Sequence, residues 1–160
     1  MGLDISYYKN LQRVNMTEDN CPSNHMRLSI NTDFPGSNDP FKEGVYTYDA
    51  VGGFGVGYMG YTFFREQLAK VSGWPKAISG EYGLEYCSSV WEAYGGPFWE
   101  LINFSDCEGT IGTVAAKKLL ADFYAYYDAS IQMEEKYIKL YDRFHEAFLI
   151  ASQNGAVCFG

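Results

Sequence analysis

The pattern that most limits how this chain can fold lies near its C-terminal end. Tyr137, Tyr141, Phe144, Phe148 and Ala151 recur at steps of 4, 3, 4 and 3, the spacing that puts side chains on one face of an α-helix. A helix from about Met133 to Gln153 with that apolar face needs a partner to cover it. The chain supplies one just upstream, where Ala116, Leu119/Leu120, Phe123 and Tyr127 form a second stripe. That helix is predicted to start from an N-cap at Thr113 and to run to about Ala129. The two stripes are expected to pack as a helical hairpin ended by Asn154-Gly155, with Ala156 to Phe159 returning as a short strand to the edge of a sheet.

Strand patterns sit at the other end of the chain. Leu3, Ile5 and Tyr7 alternate with Asp4, Ser6 and Tyr8, the period of a strand with one face buried. Met26 to Ile30 and Gly44 to Tyr48 read as further short strands. Asn31 to Glu43, broken by Pro35-Gly36 and Asn38-Asp39-Pro40, reads as a mobile surface loop. Two more helices are predicted, Thr62 to about Val71 and Tyr82 to Tyr94, the second stopped by Gly95-Gly96-Pro97. The expected fold is α+β: a small antiparallel or mixed sheet with about four helices packed on it, including the C-terminal hairpin, in a single domain over residues 1–160.

Charge narrows the range of partners. The net charge is −8, and residues 81 to 160 carry 5 Lys/Arg against 12 Asp/Glu. Nucleic-acid polymers are bound mainly through Lys/Arg contacts to phosphates, so an acidic chain without a basic run is a poor fit for them. A free nucleotide needs only one or two cations. Cys21, Cys87, Cys107, Cys158, His25 and His145 lie too far apart in sequence to spell a metal motif, and neither metal nor cofactor is expected. No apolar stretch approaches 18 residues, so a cytoplasmic protein with free thiols is expected, with no membrane partner.

Gly55-Val56-Gly57-Tyr58-Met59-Gly60 spells GxGxxG before a predicted helix. The dinucleotide-binding reading also needs a second strand after that helix. Gly73 to Gly80 reads as a loop instead, so these glycines are expected to let backbone pack closely or to line a pocket.

The densest chemistry falls between Gly95 and Gly112, where Asn103, Ser105, Asp106, Glu108 and Thr110 lie within eight residues beside Phe98, Trp99 and Phe104. Asp106 and Glu108, two apart, would project from one face of an extended segment and form an acid/base pair. Their alternative use is to cap the following helix or scaffold the loop. Arg65 is placed to meet this loop, either pairing with Asp106 or Glu108 or sharing an anionic ligand with the Gly109–Gly112 amides. Lys117 or Lys118 stands at the next helix. Tyr8, Tyr58, Tyr61 and Trp74 flank loops or glycines and suit stacking on a planar ligand or an interface. Ser105 lacks a nucleophile elbow, and Cys107 has no nearby His in sequence.

Met-Gly-Leu-Asp-Ile at the N-terminus, Gly57-Tyr58-Met59-Gly60-Tyr61 before Arg65, the Gly-Pro-Phe-x-Glu-Leu-Ile-Asn-Phe-Ser-Asp-Cys-Glu-Gly-Thr-Ile-Gly block at 96–112, and Gly155-Ala156-Val157 together resemble a family of short proteins carried by bacteriophages and prophages. The resemblance covers most of the chain and implies a phage accessory role in a bacterial cytoplasm. Such proteins often blunt host defence by sequestering a nucleotide signal or by binding a defence protein. Three functions are thus expected, in order. The first is a binder of a small anionic, nucleotide-like ligand at Tyr58, Tyr61, Arg65, Asn103, Ser105, Asp106, Glu108, Thr110 and Lys117. The second is a protein-binding inhibitor with an acidic surface at Glu134-Glu135 or Glu81/Glu85. The third is a hydrolase using Asp106 and Glu108. A homo-oligomer is compatible with each.

Overall fold

The computed structural model describes residues 2–15, 22–34, 38–80 and 82–160, without the side chains of residues 50 and 51. Cys21 and Glu81 lie outside the described residues. The architecture is α+β, with two antiparallel sheets rather than one. The alternation at the N-terminus becomes β1 (Gly2–Lys9), with Leu3 and Ile5 buried. Two short strands, β2 (Gln12–Val14) and β3 (His25–Leu28), flank β4 (Gly44–Thr47) in a three-stranded sheet ordered β2-β4-β3. The glycine-rich stretch is itself a strand, β5 (Ala50–Gly57), paired antiparallel with β1 so that Gly2 faces Gly57 and Lys9 faces Ala50.

The last strand, β7 (Ala156–Phe159), does not lie at a sheet edge as expected. It is held between β1 and a three-residue strand, β6 (Gly109–Ile111), giving the order β5-β1-β7-β6. Entry beside β1 depends on Gly155, because a Cβ there would collide with the Tyr8 carbonyl oxygen.

Six helices are present among the described residues: α1 (Tyr58–Val71), α2 (Glu85–Trp91), α3 (Trp99–Ile102), α4 (Thr113–Ala125), α5 (Tyr127–Ser130) and α6 (Glu135–Ala151). The two beyond the expected four include α3 and α5, each four residues long and too short to show a period. The helix predicted over 82–94 is trimmed at both ends: Tyr82 has φ 53° and Tyr94 is fully exposed. Thr113 is not an N-cap. Gly112 holds that position, and the Thr113 hydroxyl instead donates to the Gly155 carbonyl at 2.7 Å, tying α4 to the start of β7.

Two helix starts are capped from elsewhere in the chain. The Glu66 carboxylate accepts the Tyr86 and Cys87 N–H groups at 2.8 and 2.9 Å, and Asp122 accepts the Phe98 N–H at 2.9 Å. A carboxylate at a helix N-terminus meets both the free donors and the positive dipole end.

The main core lies between the helices and one face of the four-stranded sheet. Leu3, Ile5, Val157 and Phe159 meet Tyr61, Phe64, Phe144 and Phe148 there. The alternate β7 residue Ala156 points the other way, into a smaller core with Leu11, Leu28, Phe41 and Tyr46. The expected loop over 31–43 is therefore anchored in its second half: Phe41 is buried, and the Asp39 carbonyl accepts the Val114 N–H at 3.1 Å. The helical stripes at the C-terminal end do meet, with Phe123 against Tyr141, His145 and Phe148. No helix among the described residues is long and apolar enough to cross a membrane.

Candidate ligand site at Arg65

Helix α1 buries Phe64 and Leu68, which leaves Arg65 on its flank. From there Nη1 donates to the Phe104 carbonyl at 2.9 Å and to the Ile102 carbonyl at 3.4 Å. The guanidinium carbon lies 4.3 Å from the centre of the Tyr61 ring, a cation–π contact. Arg65 joins no ion pair among the described residues, so it meets neither expected carboxylate directly. Its positive charge is held by carbonyl dipoles and a ring, with Asp106 in the same hollow but in no direct ion pair with it.

Those carbonyls are presented by a braced turn. Phe98 enters α3 with φ 55° while fully buried, a conformation that costs a bulky residue on the order of 1–3 kcal/mol. Lys118 holds the turn in place, bridging Glu100 and Asp122 at 2.7 Å each and donating to the Gly96 carbonyl. Trp74 Nε1 donates to the Pro97 carbonyl at 2.9 Å. At the end of α3, Asn103 Nδ2 donates back to the Trp99 carbonyl at 2.9 Å. Ser105 is buried, and its hydroxyl oxygen accepts the Cys107 and Glu108 N–H groups at 3.1 Å each.

The result is a hollow of about 300 Å³ beside Arg65. Its polar wall is Arg65, Asn103 and Asp106; its apolar wall is Ile102, Phe104, Trp91 and Phe34. Trp91 and Phe34 are each more than a third exposed, so ring surface is available to a guest. Three of the sequence-predicted site residues thus come together, and four lining residues were not predicted. Trp91 falls inside the helix expected over 82–94 and Phe34 inside the loop expected over 31–43; neither carries a local signal.

The other predicted residues go elsewhere. Tyr61 is fully buried beneath Arg65, its hydroxyl donating to the Leu101 carbonyl at 3.4 Å, and burial pushes its pKa up to about 12. Thr110 is buried and donates to the Ser29 carbonyl at 2.6 Å, which ties β6 to the segment after β3. Tyr58 and Lys117 are exposed on α1 and α4, outside the lining of this hollow. Glu108 is exposed and also outside the lining, so the structure puts only Asp106 of the expected carboxylate pair in the hollow.

The thiols nearby are poor nucleophiles. Cys107 donates to Asp106 Oδ1 at 3.3 Å, and that hydrogen bond and charge raise its pKa. Burial, aided by Glu66, raises that of Cys87, and burial pushes Cys158 up to about 11. Among the described residues no group of three or more His, Cys, Asp or Glu side chains is placed to hold a metal ion. Compared with known proteins, the chain matches no family model, no curated protein and no solved structure.

Proposed function

We propose that the protein binds a small anionic, nucleotide-like ligand in the Arg65 hollow, in keeping with the phage accessory role that its sequence motifs imply, by sequestering such a molecule in a bacterial cytoplasm. The observation that carries this reading is the state of Arg65: a guanidinium fixed by two carbonyls, in no ion pair among the described residues, at the wall of a hollow with accessible aromatic surface. A volume near 300 Å³ suits a ligand of modest size. Arg65 supplies the anion contact and Trp91 and Phe34 the stacking surface, while Asn103 and Asp106 meet hydroxyl or amine donors. We further read α4 and α6 as the arms of a hairpin turned by α5, which stiffens the wall carrying Lys118.

The test is calorimetric titration of nucleoside mono-, di- and cyclic phosphates into the wild type, Arg65→Gln and Asp106→Asn. Loss of a charged hydrogen bond predicts a weakening of roughly ten- to a hundredfold in Arg65→Gln. Asp106→Asn removes a like charge and is expected to tighten binding of the same ligand. Equal affinity in wild type and Arg65→Gln contradicts the reading.

A second reading, a protein-binding inhibitor, draws on Ile78, Tyr82 and Tyr94, all almost wholly exposed around α2 near Glu85. Exposed tyrosines beside carboxylates suit contact with a basic partner protein. Pull-down with wild type and a Tyr82→Ser/Tyr94→Ser variant separates the two.

A further inference from the structure

The GxGxxG stretch takes no part in the Arg65 hollow, yet it lies in a setting with its own chemistry. Gly55 and Gly57 close strand β5, and Gly60 stands in the first turn of α1, so the motif spans a direct strand-to-helix junction. No dinucleotide fold forms around it: β5 pairs antiparallel, and among the described residues no strand follows α1 before Gly109. Above the junction runs α6, whose Lys136, Lys139 and Arg143 lie at steps of 3 and 4 and share one face. Between them is a second hollow, of about 370 Å³, floored by Val56, Tyr137 and Leu140.

The three cations are the only charged residues among those lining this hollow, in a chain of net charge −8. Lys136 and Lys139 are paired with Glu134 and Glu135 at 3.4 and 2.7 Å, but both pairs are largely exposed and exchange readily for a stronger anion. Gly55 and Gly57 lie on the face of β5 opposite Val56, where a Cβ at Gly57 would meet nothing within 4 Å and one at Gly55 would lie 3.5 Å from Asp4 Oδ1, so what they bring to the rim of the hollow is backbone. The first turn of α1 adds amide donors, with no side-chain cap and no acidic residue. Cations on one wall, bare backbone on the other and an apolar floor between them match an anion with more than one negative charge and an apolar body.

We propose that this groove is a second binding site, for a phosphate-bearing small molecule, whose charged end meets Lys136, Lys139 and Arg143 and whose body lies on Val56, Tyr137 and Leu140. The site is independent of Arg65.

The test is titration of inorganic triphosphate, and separately of ATP, into the isotopically labelled wild-type chain, followed by amide NMR shifts. Shifts are expected at Gly55, Gly57, Gly60 and Lys139, with binding weakened by added salt. Removing charged contacts should weaken ATP about tenfold in Lys139→Gln and more in the Lys136→Gln/Lys139→Gln/Arg143→Gln variant, whose exposed positions leave the fold intact. Tighter binding of ATP than of triphosphate supports a role for the apolar floor. Arg65→Gln should leave these shifts unchanged. Shifts confined to residues 102–106, unchanged affinity in the triple variant, or no binding of either probe at millimolar concentration would overturn the proposal.

Discussion

Arg65 and Arg143 each stand over an aromatic ring, Tyr61 at 4.3 Å and Phe54 at 5.9 Å, and both rings touch Phe144, at 5.9 and 5.0 Å. The similarity ends there. Arg65 is half-buried and hydrogen-bonded to two backbone carbonyls of a braced turn, whereas Arg143 is exposed on α6 beside two lysines that solvent also reaches. One hollow has a cation built into the framework; the other has cations laid on its surface. Structure and binding are therefore coupled at the first hollow and separable at the second.

The largest effect is expected at Phe144, the ring that touches both Tyr61 and Phe54. Phe144 also stacks on Phe64 at 5.3 Å, and Phe144→Ala should cost about 3–5 kcal/mol, lowering the melting temperature by on the order of 10 °C. Thermal melts by circular dichroism check this. A loss below 1 kcal/mol would mean that the two regions do not rest on a common ring.

Arg65→Ala comes next. It leaves the Ile102 and Phe104 carbonyls without their donor, a cost of roughly 1–3 kcal/mol measurable by urea unfolding. Lys139→Gln should stay within about 0.5 kcal/mol of the wild type by the same assay, because its exposed pair with Glu135 contributes little. Equal stability losses at the two positions would erase the distinction between framework cation and surface cation.

Acidification probes a place outside both hollows. His145 packs on the Phe123 ring at 5.8 Å, edge-on to Tyr124 at 4.7 Å, and its buried Nε2 has no hydrogen-bond partner among the described residues. Burial lowers its pKa below 6.5, partly opposed by Asp142. In the folded state it therefore binds fewer protons than in the unfolded chain. Stability should be level above about pH 6.5 and fall as the pH drops below it. His145→Phe is expected to remove that part of the decline, read from urea midpoints across the pH range.

The contrast between the hollows also marks what the sequence could reveal. Strand β1 and the stripes of α4 and α6 were legible because their periods are local. The position of β7 inside the sheet was not, since it depends on Gly109–Ile111 pairing with a segment almost 50 residues away. Strand β5 was hidden by its own glycines, a residue that weakens strands and so argues against one.

The block at 95–112 drew notice through its polar density, and much of that density serves the backbone: Ser105 and Thr110 satisfy main-chain groups, and Asn103 closes α3. Arg65, Asn103 and Asp106 line one hollow, and Trp91 and Phe34 join it from segments that only the fold brings near. On α6, the three cations at steps of 3 and 4 carry no sequence signal beyond that of a solvated helix face.

The most direct check of the account is native mass spectrometry of the purified chain after incubation with small-molecule extracts of phage-infected and uninfected bacteria. With the α6 groove disabled by Lys136→Gln/Lys139→Gln/Arg143→Gln, the account predicts an added mass, of a phosphate-bearing compound, that is lost when Arg65→Gln is added to the folded triple variant. A bare spectrum of the triple variant under both conditions, or an added mass that the further Arg65→Gln change leaves undiminished, would contradict the assignment of the Arg65 hollow as the ligand site.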